Sequence, residues 1–399
     1  MRIVYKYGGS SVATLEKINA IAQRLKFLHD KGYELVVVVS AMGKTTNELI
    51  TTAQQLSSKP NKRELDALMC TGEIKSITLL AIALNELGVP AVSFNAYQAG
   101  IYTNNNYTRA FIDHIDTTKL EKVLAENAIA IVAGFQGVTE SGDLATLGRG
   151  GSDTTAVALA AALKCDCNIY TDVSGIYSID PRIYASAKKL DTIPYSDMME
   201  LAVNGANVLE PRSVELAAKF GVKLYVGQSL ESEQKGTIVM NGKDYFERII
   251  ISGIAVKEHI SLVSLKLNNV DKRLLYKVFG IIAKSSINLN MVSCQNFLDN
   301  TILSFSCSLT QAEEFIDSFK TDADLNEIEI NIQKDLTQIS VTGTGMSTHT
   351  TFIANILKTL TENYIEFSNI TNSEISFSFL VMPKYKESAI KVLAERFEI

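Results

Sequence analysis

The chain has 399 residues, more than one ordinary core accommodates, so two or three domains are expected. Apolar residues make up 46% and charged residues 21%, a soluble globular balance, and the formal net charge of -6 argues against a nucleic-acid partner, which needs a basic surface. No apolar run approaches the roughly 20 residues that span a bilayer, and "MRIVYKYGGSS" turns polar too early for a secretion signal, so neither membrane nor export is expected.

The first ~240 residues alternate between strand and helix patterns. "RIVYKY" (2–7) is a predicted strand, 14–32 an amphipathic helix ending at Gly32, and "YELVVVVS" (33–40) a strand apolar on both faces. Helical patterns follow over 47–57 and 64–87. Then come strand 90–95, helix 117–127, strand 128–135, helix 152–163 and strand 167–171. Helices at 195–204 and 212–220 precede a strand at 222–227. Such alternation implies an α/β domain with a mainly parallel sheet, which binds ligands at the carboxyl ends of its strands.

Near residue 245 the pattern changes. A strand at 248–258 is followed by "ISLVSLKL", helix 271–286, "NLNMVSCQ", "NTILSFSCS", helix 311–320 and "EIEINIQ", a β-α-β-β-α-β order. A second pass begins with "QISVTGTG" and helix 347–363, and ends with helix 384–397, one strand short. Two copies of one small unit are implied. The spare strand 248–258 is assigned to the second copy. The resulting domains are 1–245, 259–334 and 335–399.

Few side chains offer familiar chemistry. The five cysteines, odd in number and scattered, fit a reducing cytosol, and Cys165 and Cys167 read as small residues entering a strand rather than a metal pair. His29, His114, His259 and His349 stand in no recognisable motif, which removes the commonest general base. "SAMGKTT" (40–46) looks like a phosphate loop, but Val38 stands where the Walker pattern needs glycine, so Gly43-Lys44 reads as a turn opening a helix.

Three glycine clusters remain, each at a predicted strand end. In "KYGGSS" (6–11) two glycines let backbone N–H groups approach an anion beside Lys6; an ordinary strand-to-helix turn has the same composition. In "TLGRGGSDTTAVALA" (146–160), Gly150 and Gly151 precede a helix that Ser152 or Asp153 is expected to cap. Arg149 there either grips a carboxylate or points into solvent. In "TDVSGIYSIDPR" (171–182), Asp172, Tyr177, Asp180 and Arg182 surround a glycine turn that alone reads as a hairpin.

In this order, "KYGGSS", "VVSAMGKTTN", "GFQG", "GRGGSDTTA", "TDVSGIYSIDPR" and "GANVLEPRSVELA" resemble the aspartate kinases of the amino-acid kinase family. "SSINLNMVSCQN" (285–296) and "VTGTGM…ITNSEISFS" (341–378) resemble their paired ACT regulatory domains. The resemblance implies an open, mainly parallel carbamate-kinase-like sheet sandwiched by helices, then two ferredoxin-like α+β ACT units. It implies transfer of the γ-phosphoryl of ATP, carried with Mg2+, to the side-chain carboxylate of L-aspartate.

By the same resemblance, Lys6 and the N–H groups of Gly8 and Gly9 meet the transferring group. Ser40, Thr46, Phe135, Gly150 and Gly151 line the aspartate pocket. Glu73, in "CTGE", pairs with the α-ammonium and Arg149 clamps the α-carboxylate. Ser152 and Asp153 hold the reacting end and the Lys6 ammonium, and no side-chain metal ligands are implied. Thr171, Asp172, Tyr177, Asp180, Arg182 and Asn207 form the nucleotide side. Asn207 stands where the family commonly has Lys, and Glu210 where it often has His. Asn288, Asn290, Met291, Val292 and Gln295 form an effector site for lysine or threonine, lysine ahead, in a cytoplasmic homodimer or dimer of dimers joined through the ACT units. Asn288 and Asn290 also suit a plain turn. Glutamate, acetylglutamate and uridylate kinases share the fold and remain as alternatives, as does an amino-acid sensor without activity.

Overall fold

The computed structural model describes residues 1–229, 235–242, 250–268, 272–285, 287–297, 300–325, 328–344 and 350–399. The chain divides into two compact units. The first comprises Met1–Tyr177, Lys189–Ala202 and Asn207–Asp244, and the second Ser178–Lys188, Val203–Ala206 and Tyr245–Ile399.

The first unit runs β1 (Arg2–Tyr7), α1 (Leu15–Asp30), β2 (Glu34–Val39), α2 (Thr45–Leu56), α3 (Lys62–Glu86), β3 (Ala91–Phe94), β4 (Ile101–Thr103), β5 (Ile112–Ile115) and α4 (Thr118–Ala125). It continues with β6 (Ile129–Ala133), β7 (Gln136–Val138), β8 (Leu144–Thr146), α5 (Gly151–Ala162), β9 (Asp166–Thr171), β10 (Thr192–Pro194), α6 (Tyr195–Val203), α7 (Pro211–Phe220), β11 (Leu224–Gln228) and β12 (Thr237–Met240). Local chemistry sets the boundaries. Asn61 caps α3 by accepting from the N–H groups of Arg63 and Glu64, and α7 opens on Pro211 and closes at Gly221, whose φ is 67°.

An eight-stranded sheet has the order β10-β12-β11-β9-β1-β2-β6-β3. Its inner strands, β9 to β6, pair in parallel. The valines of β2 are buried on both faces, as a doubly covered sheet requires. The chain moves outward from β1 to β2, later returning to β9 on the other side of β1, so a topological switch point opens at the carboxyl end of β1. The short strands β5-β4-β7-β8 form a separate sheet that sequence periodicity does not reveal.

Helix α3 departs from the expectation that no run is long enough for a bilayer. It has 25 residues and is, by length and composition, apolar enough to cross one. Here its Ile77, Leu80 and Leu84 join the core with α1 and β1, and its buried face also carries Asp66 and Glu73.

In the second unit, β13 (Ile250–Asn268), α8 (Lys272–Lys284), β14 (Asn290–Phe297), β15 (Asn300–Ser308), α9 (Leu309–Lys320), β16 (Glu329–Thr344), α10 (Thr350–Glu362), β17 (Phe367–Asn372), β18 (Ser376–Val381) and α11 (Lys386–Phe397) build one six-stranded sheet, order β14-β15-β13-β16-β18-β17. The sequence pattern divides 248–258 from "ISLVSLKL" (260–267), and "EIEINIQ" from "QISVTGTG". The described parts of each pair form one strand, bent where His259 and Asp335 adopt φ of 56° and 55°. Residues 248 and 249 lie outside the described residues, as do the first residues of the helices expected at 271–286 and 347–363. Ile250–Lys257 pairs with Gln338–Thr344. Two apolar cores form, one under α8 and α9 around Phe305 and Phe315, the other under α10 and α11 around Phe377 and Phe379. Ile179 joins the latter, and Ser178 accepts a hydrogen bond from the Ile254 N–H at 2.7 Å, so the 178–188 segment folds with this unit.

Candidate active site

A cavity of about 230 Å³ opens at the carboxyl ends of the strands near the switch point. It is smaller than the roughly 300–1,000 Å³ of pockets for drug-sized ligands, and suits a small metabolite. β1 delivers Lys6, and its turn delivers Gly9. The turn after β2 delivers Ser40, Ala41 and Gly43, α2 adds Thr46, α3 adds Glu73, and the bend after β6 adds Phe135. Gly150, Gly151, Ser152 and Asp153 complete the wall from the start of α5. Ala41 is a lining residue that the sequence does not single out, and Gly43, which reads there only as a turn residue, lines the wall as well.

Lys6 and Asp153 are both buried and form an ion pair of 2.5 Å. Together with Glu73 they place one cation and two carboxylates around a small space. Glu73 is 3% exposed. Its Oε1 accepts from the Ala41 N–H at 3.1 Å, while Oε2 has no hydrogen-bond partner. Burial pushes the Glu73 carboxyl up to about 7, opposed by the Ala41 N–H. A buried carboxylate with an unpartnered oxygen is costly unless a cationic or donor group completes it, and Glu73 stands in the cavity wall.

Helix α5 is buried along its first ten residues. The expectation that Ser152 or Asp153 caps it is overturned: the N-cap is Gly150, with φ of 66° and no capping side chain, which frees Ser152 for the wall and Asp153 for Lys6. The Gly151 N–H donates to the Gly148 carbonyl and the Asp153 N–H to that of Gly150, so the positive end of the helix dipole at the cavity wall, rather than a row of free N–H groups, favours an anion there. Gly150 is also required sterically, since a Cβ there would lie 2.5 Å from Cβ of Glu210. Burial raises the Glu210 pKa, as does nearby Asp153, while Arg212 and Arg149 lower it. Phe135 holds a left-handed φ of 70°, and its N–H donates to Thr155 Oγ1, which fixes the bend against α5.

Other singled-out residues lie outside this cavity wall. The Gly8 N–H donates to the Tyr170 carbonyl at 3.1 Å. Arg149 is exposed at the turn before α5. Thr171 and Asp172 meet at the end of β9, where the Thr171 hydroxyl donates to Asp172 at 3.0 Å. The Tyr177 hydroxyl lies 2.8 Å from Ser174 Oγ, and Asn207 is exposed ahead of α7. Asp180 and Arg182 fold with the second unit, where Arg182 hydrogen-bonds Asp180 and lowers its pKa.

The effector residues lie on or beside β14, an edge strand. Asn288 is exposed just before it, Val292 is 47% exposed and Gln295 is exposed. A register shift falls between Asn290 and Ser293, where Met291 has φ of 46° and packs with Leu262 and Leu336. The opposite edge repeats the device: β17 shifts register between Ser368 and Thr371, and Asn369 has φ of 43°.

Residues 1–228 match the amino acid kinase family, and residues 339–397 match the ACT domain. The aspartokinase of Geobacillus stearothermophilus is 42% identical over 398 residues, covering 99% of this chain and 97% of the relative. Aspartokinase 2 of Bacillus subtilis is 41% identical, covering 100% and 98%. Aspartokinase III of E. coli, solved with aspartate and ADP, superposes with a TM-score of 0.82 at 24% identity over the full length of both chains. The same enzyme solved with lysine and aspartate gives 0.76 at 23%, covering 99% of each chain. A kinase sheet with its cavity at the switch point, a tandem ACT-type sheet and full-length similarity agree: the chain belongs to the aspartokinases of the amino acid kinase family.

Proposed function

We propose that the cavity is the aspartate pocket of this kinase, with Glu73 receiving the α-ammonium and Arg149 the α-carboxylate. The observation that carries the reading is Glu73, a buried carboxylate with an unpartnered Oε2 in the wall of the same small cavity as the Lys6–Asp153 pair. Ser40 and Thr46 line the path to Lys6 and orient the side-chain carboxylate. Its pKa, about 3.9 when free, makes it an ionised nucleophile at pH 7, so no general base is needed. One carboxylate oxygen forms a bond to the γ-phosphorus. The bond from that phosphorus to the β–γ bridging oxygen breaks, and ADP leaves with the electron pair. Positioning and charge neutralisation carry the catalysis. Lys6, held by Asp153, and the start of α5 supply positive potential to the transferring oxygens.

Thr171, Asp172, Tyr177 and Asn207 form the nucleotide side in this reading. Mg2+ enters on the phosphates, where it neutralises their charge. Among the described residues no three acidic, histidine or cysteine side chains cluster to hold a metal. Asn288, Asn290, Met291, Val292 and Gln295 take an end-product amino acid, lysine ahead of threonine, in a cytoplasmic homodimer. A hydroxamate-trapping assay with ATP and aspartate, glutamate or no acceptor tests the substrate. Turnover with aspartate alone is the expected result. Equal turnover with glutamate, or none with aspartate, overturns it.

A further inference from the structure

Asp66 is fully buried on α3 and lies outside the cavity wall. Its Oδ2 accepts from the N–H groups of Thr108 at 2.8 Å and Thr146 at 2.7 Å, and its Oδ1 from the Thr146 hydroxyl at 2.8 Å. Arg212, half-buried on α7, grips the same two segments by their carbonyls. It donates to Leu147 O at 2.7 Å and Ala110 O at 3.1 Å, with its guanidinium 4.6 Å above the Phe111 ring. The segments are joined directly, since the Ala110 N–H donates to Thr146 O at 2.9 Å. The Leu147 N–H in turn donates to Phe135 O at 2.8 Å. The backbone N–H and C=O groups of residues 146 and 147 therefore all have partners, drawn from α3, α7, the bend at Phe135 and Ala110. Two residues later the chain reaches Arg149, and then the start of α5 with Asp153. The same helix that holds Asp66 carries Glu73 two turns further on, so α3 grips the turn with one carboxylate and faces the cavity with the other.

We propose that Asp66 and Arg212 are positioning residues that fix the 146–153 turn relative to Glu73, setting the spacing at which the two ends of the amino-acid substrate are held. The inference rests on the pocket reading above. Neither residue touches substrate. Both act through backbone groups of the turn, and a displacement of about 1 Å in such a constellation can cost on the order of a hundredfold.

The test is steady-state kinetics on the full chain. Asp66→Ala and Arg212→Met should each raise the aspartate KM by about tenfold or more, with the nucleotide KM changing by less than about twofold and kcat by less than about threefold. Asp66→Asn should restore the aspartate KM to within about threefold. Its amide oxygen can accept both N–H groups, while its NH2 donates to a reoriented Thr146 hydroxyl. A parallel rise in both KM values, or a lowered melting temperature with an unchanged aspartate KM, overturns the proposal. Should Asp66→Ala fail to fold, Arg212→Met carries the same criteria. Arg149→Ala separates the two readings. If it raises the aspartate KM and Asp66→Ala does not, positioning fails. If it leaves the KM alone while Asp66→Ala raises it, the pocket assignment to Arg149 fails and another group on the turn is being positioned.

Discussion

Asp66 and Glu73 are buried carboxylates seven residues apart on one helix, and they differ in what they lack. Asp66 has three donors, whereas Glu73 has one and keeps an oxygen free. Both Asp66 oxygens have partners within the protein, whereas Glu73 Oε2 has none, which in the proposed site is left to the substrate ammonium. With its carboxyl raised to about 7, Glu73 is mostly neutral below that pH and charged above it. An ammonium needs the charged form. In the proposed pocket, kcat/KM for aspartate should therefore rise about tenfold per pH unit below pH 7 and level off above it. Glu73→Gln should abolish that step. A wild-type profile flat from pH 5.5 to 8.5 would remove Glu73 from the ammonium site.

Lys6→Ala should lower kcat far more than it weakens aspartate binding. In the proposed site the ammonium faces the developing charge of the transferring group, and one such contact is worth about 3–4 kcal/mol, or roughly 100- to 1,000-fold. Retention of more than half of kcat would show that Lys6 merely partners Asp153.

Arg149→Lys should act mainly on the aspartate KM. In the proposed clamp a two-pronged guanidinium contact would become a single ammonium contact, at a cost of about 1.5–3 kcal/mol, the scale of charge-assisted hydrogen bonds. Initial rates against aspartate check this, and an unchanged KM removes the clamp.

Gly9→Ala introduces a Cβ that would lie 2.7 Å from Ala41 O and 3.3 Å from Gly43 O, both backbone atoms of the neighbouring turn. Overpacking of this kind typically costs about 1–3 kcal/mol. Because both turns line the cavity, a lowered melting temperature should accompany at least a tenfold loss of kcat/KM, on the scale of misplaced reacting groups. Unaltered kinetics and melting would mean that the turns part freely.

Asn290→Ala should weaken end-product inhibition and spare uninhibited kcat. Coupling of about 1–3 kcal/mol between effector and substrate corresponds to a 5- to 150-fold change in apparent aspartate KM. Rates measured against lysine and threonine, singly and together, decide it. Loss of uninhibited activity in the variant would make Asn290 a structural residue of the β14 bend.

The long elements were legible because burial imposes period on sequence. The all-valine run of β2 and the stripes of α1 and α7 declared themselves within a residue or two of their limits. The sheet β5-β4-β7-β8 did not, since strands of three or four residues carry no measurable alternation. Nor did the continuity of β13 and β16, because His259 and Asp335 look like turn residues although the ladder resumes beyond them. Most of the cavity wall followed from family resemblance rather than spacing, as Lys6, Glu73 and Asp153 meet only through the fold. Asp66 went unnoticed among apolar neighbours. The available signal was an acidic residue seven places before Glu73 in a helix otherwise rich in Leu, Ile and Ala. The folding of 178–188 with the second unit depends on Ile179, Ile183 and Tyr184 finding a partner distant in sequence, which no local pattern encodes.

The long strand β13 has a consequence for biosynthesis. Its first half pairs with residues 338–344, its second half with residues 300–308 and 329–333. On the ribosome, the second half meets β15 well before the first half's partner has been made. Until β16 emerges, Ile250–Lys257 presents an unpaired, apolar edge, the kind of segment that chaperones bind and that other nascent chains can zip onto. A message truncated after codon 334 would leave this edge permanently open. Such products should aggregate or be degraded rather than persist as single-repeat enzymes, and slow translation through codons 310–340 should lengthen the interval of risk.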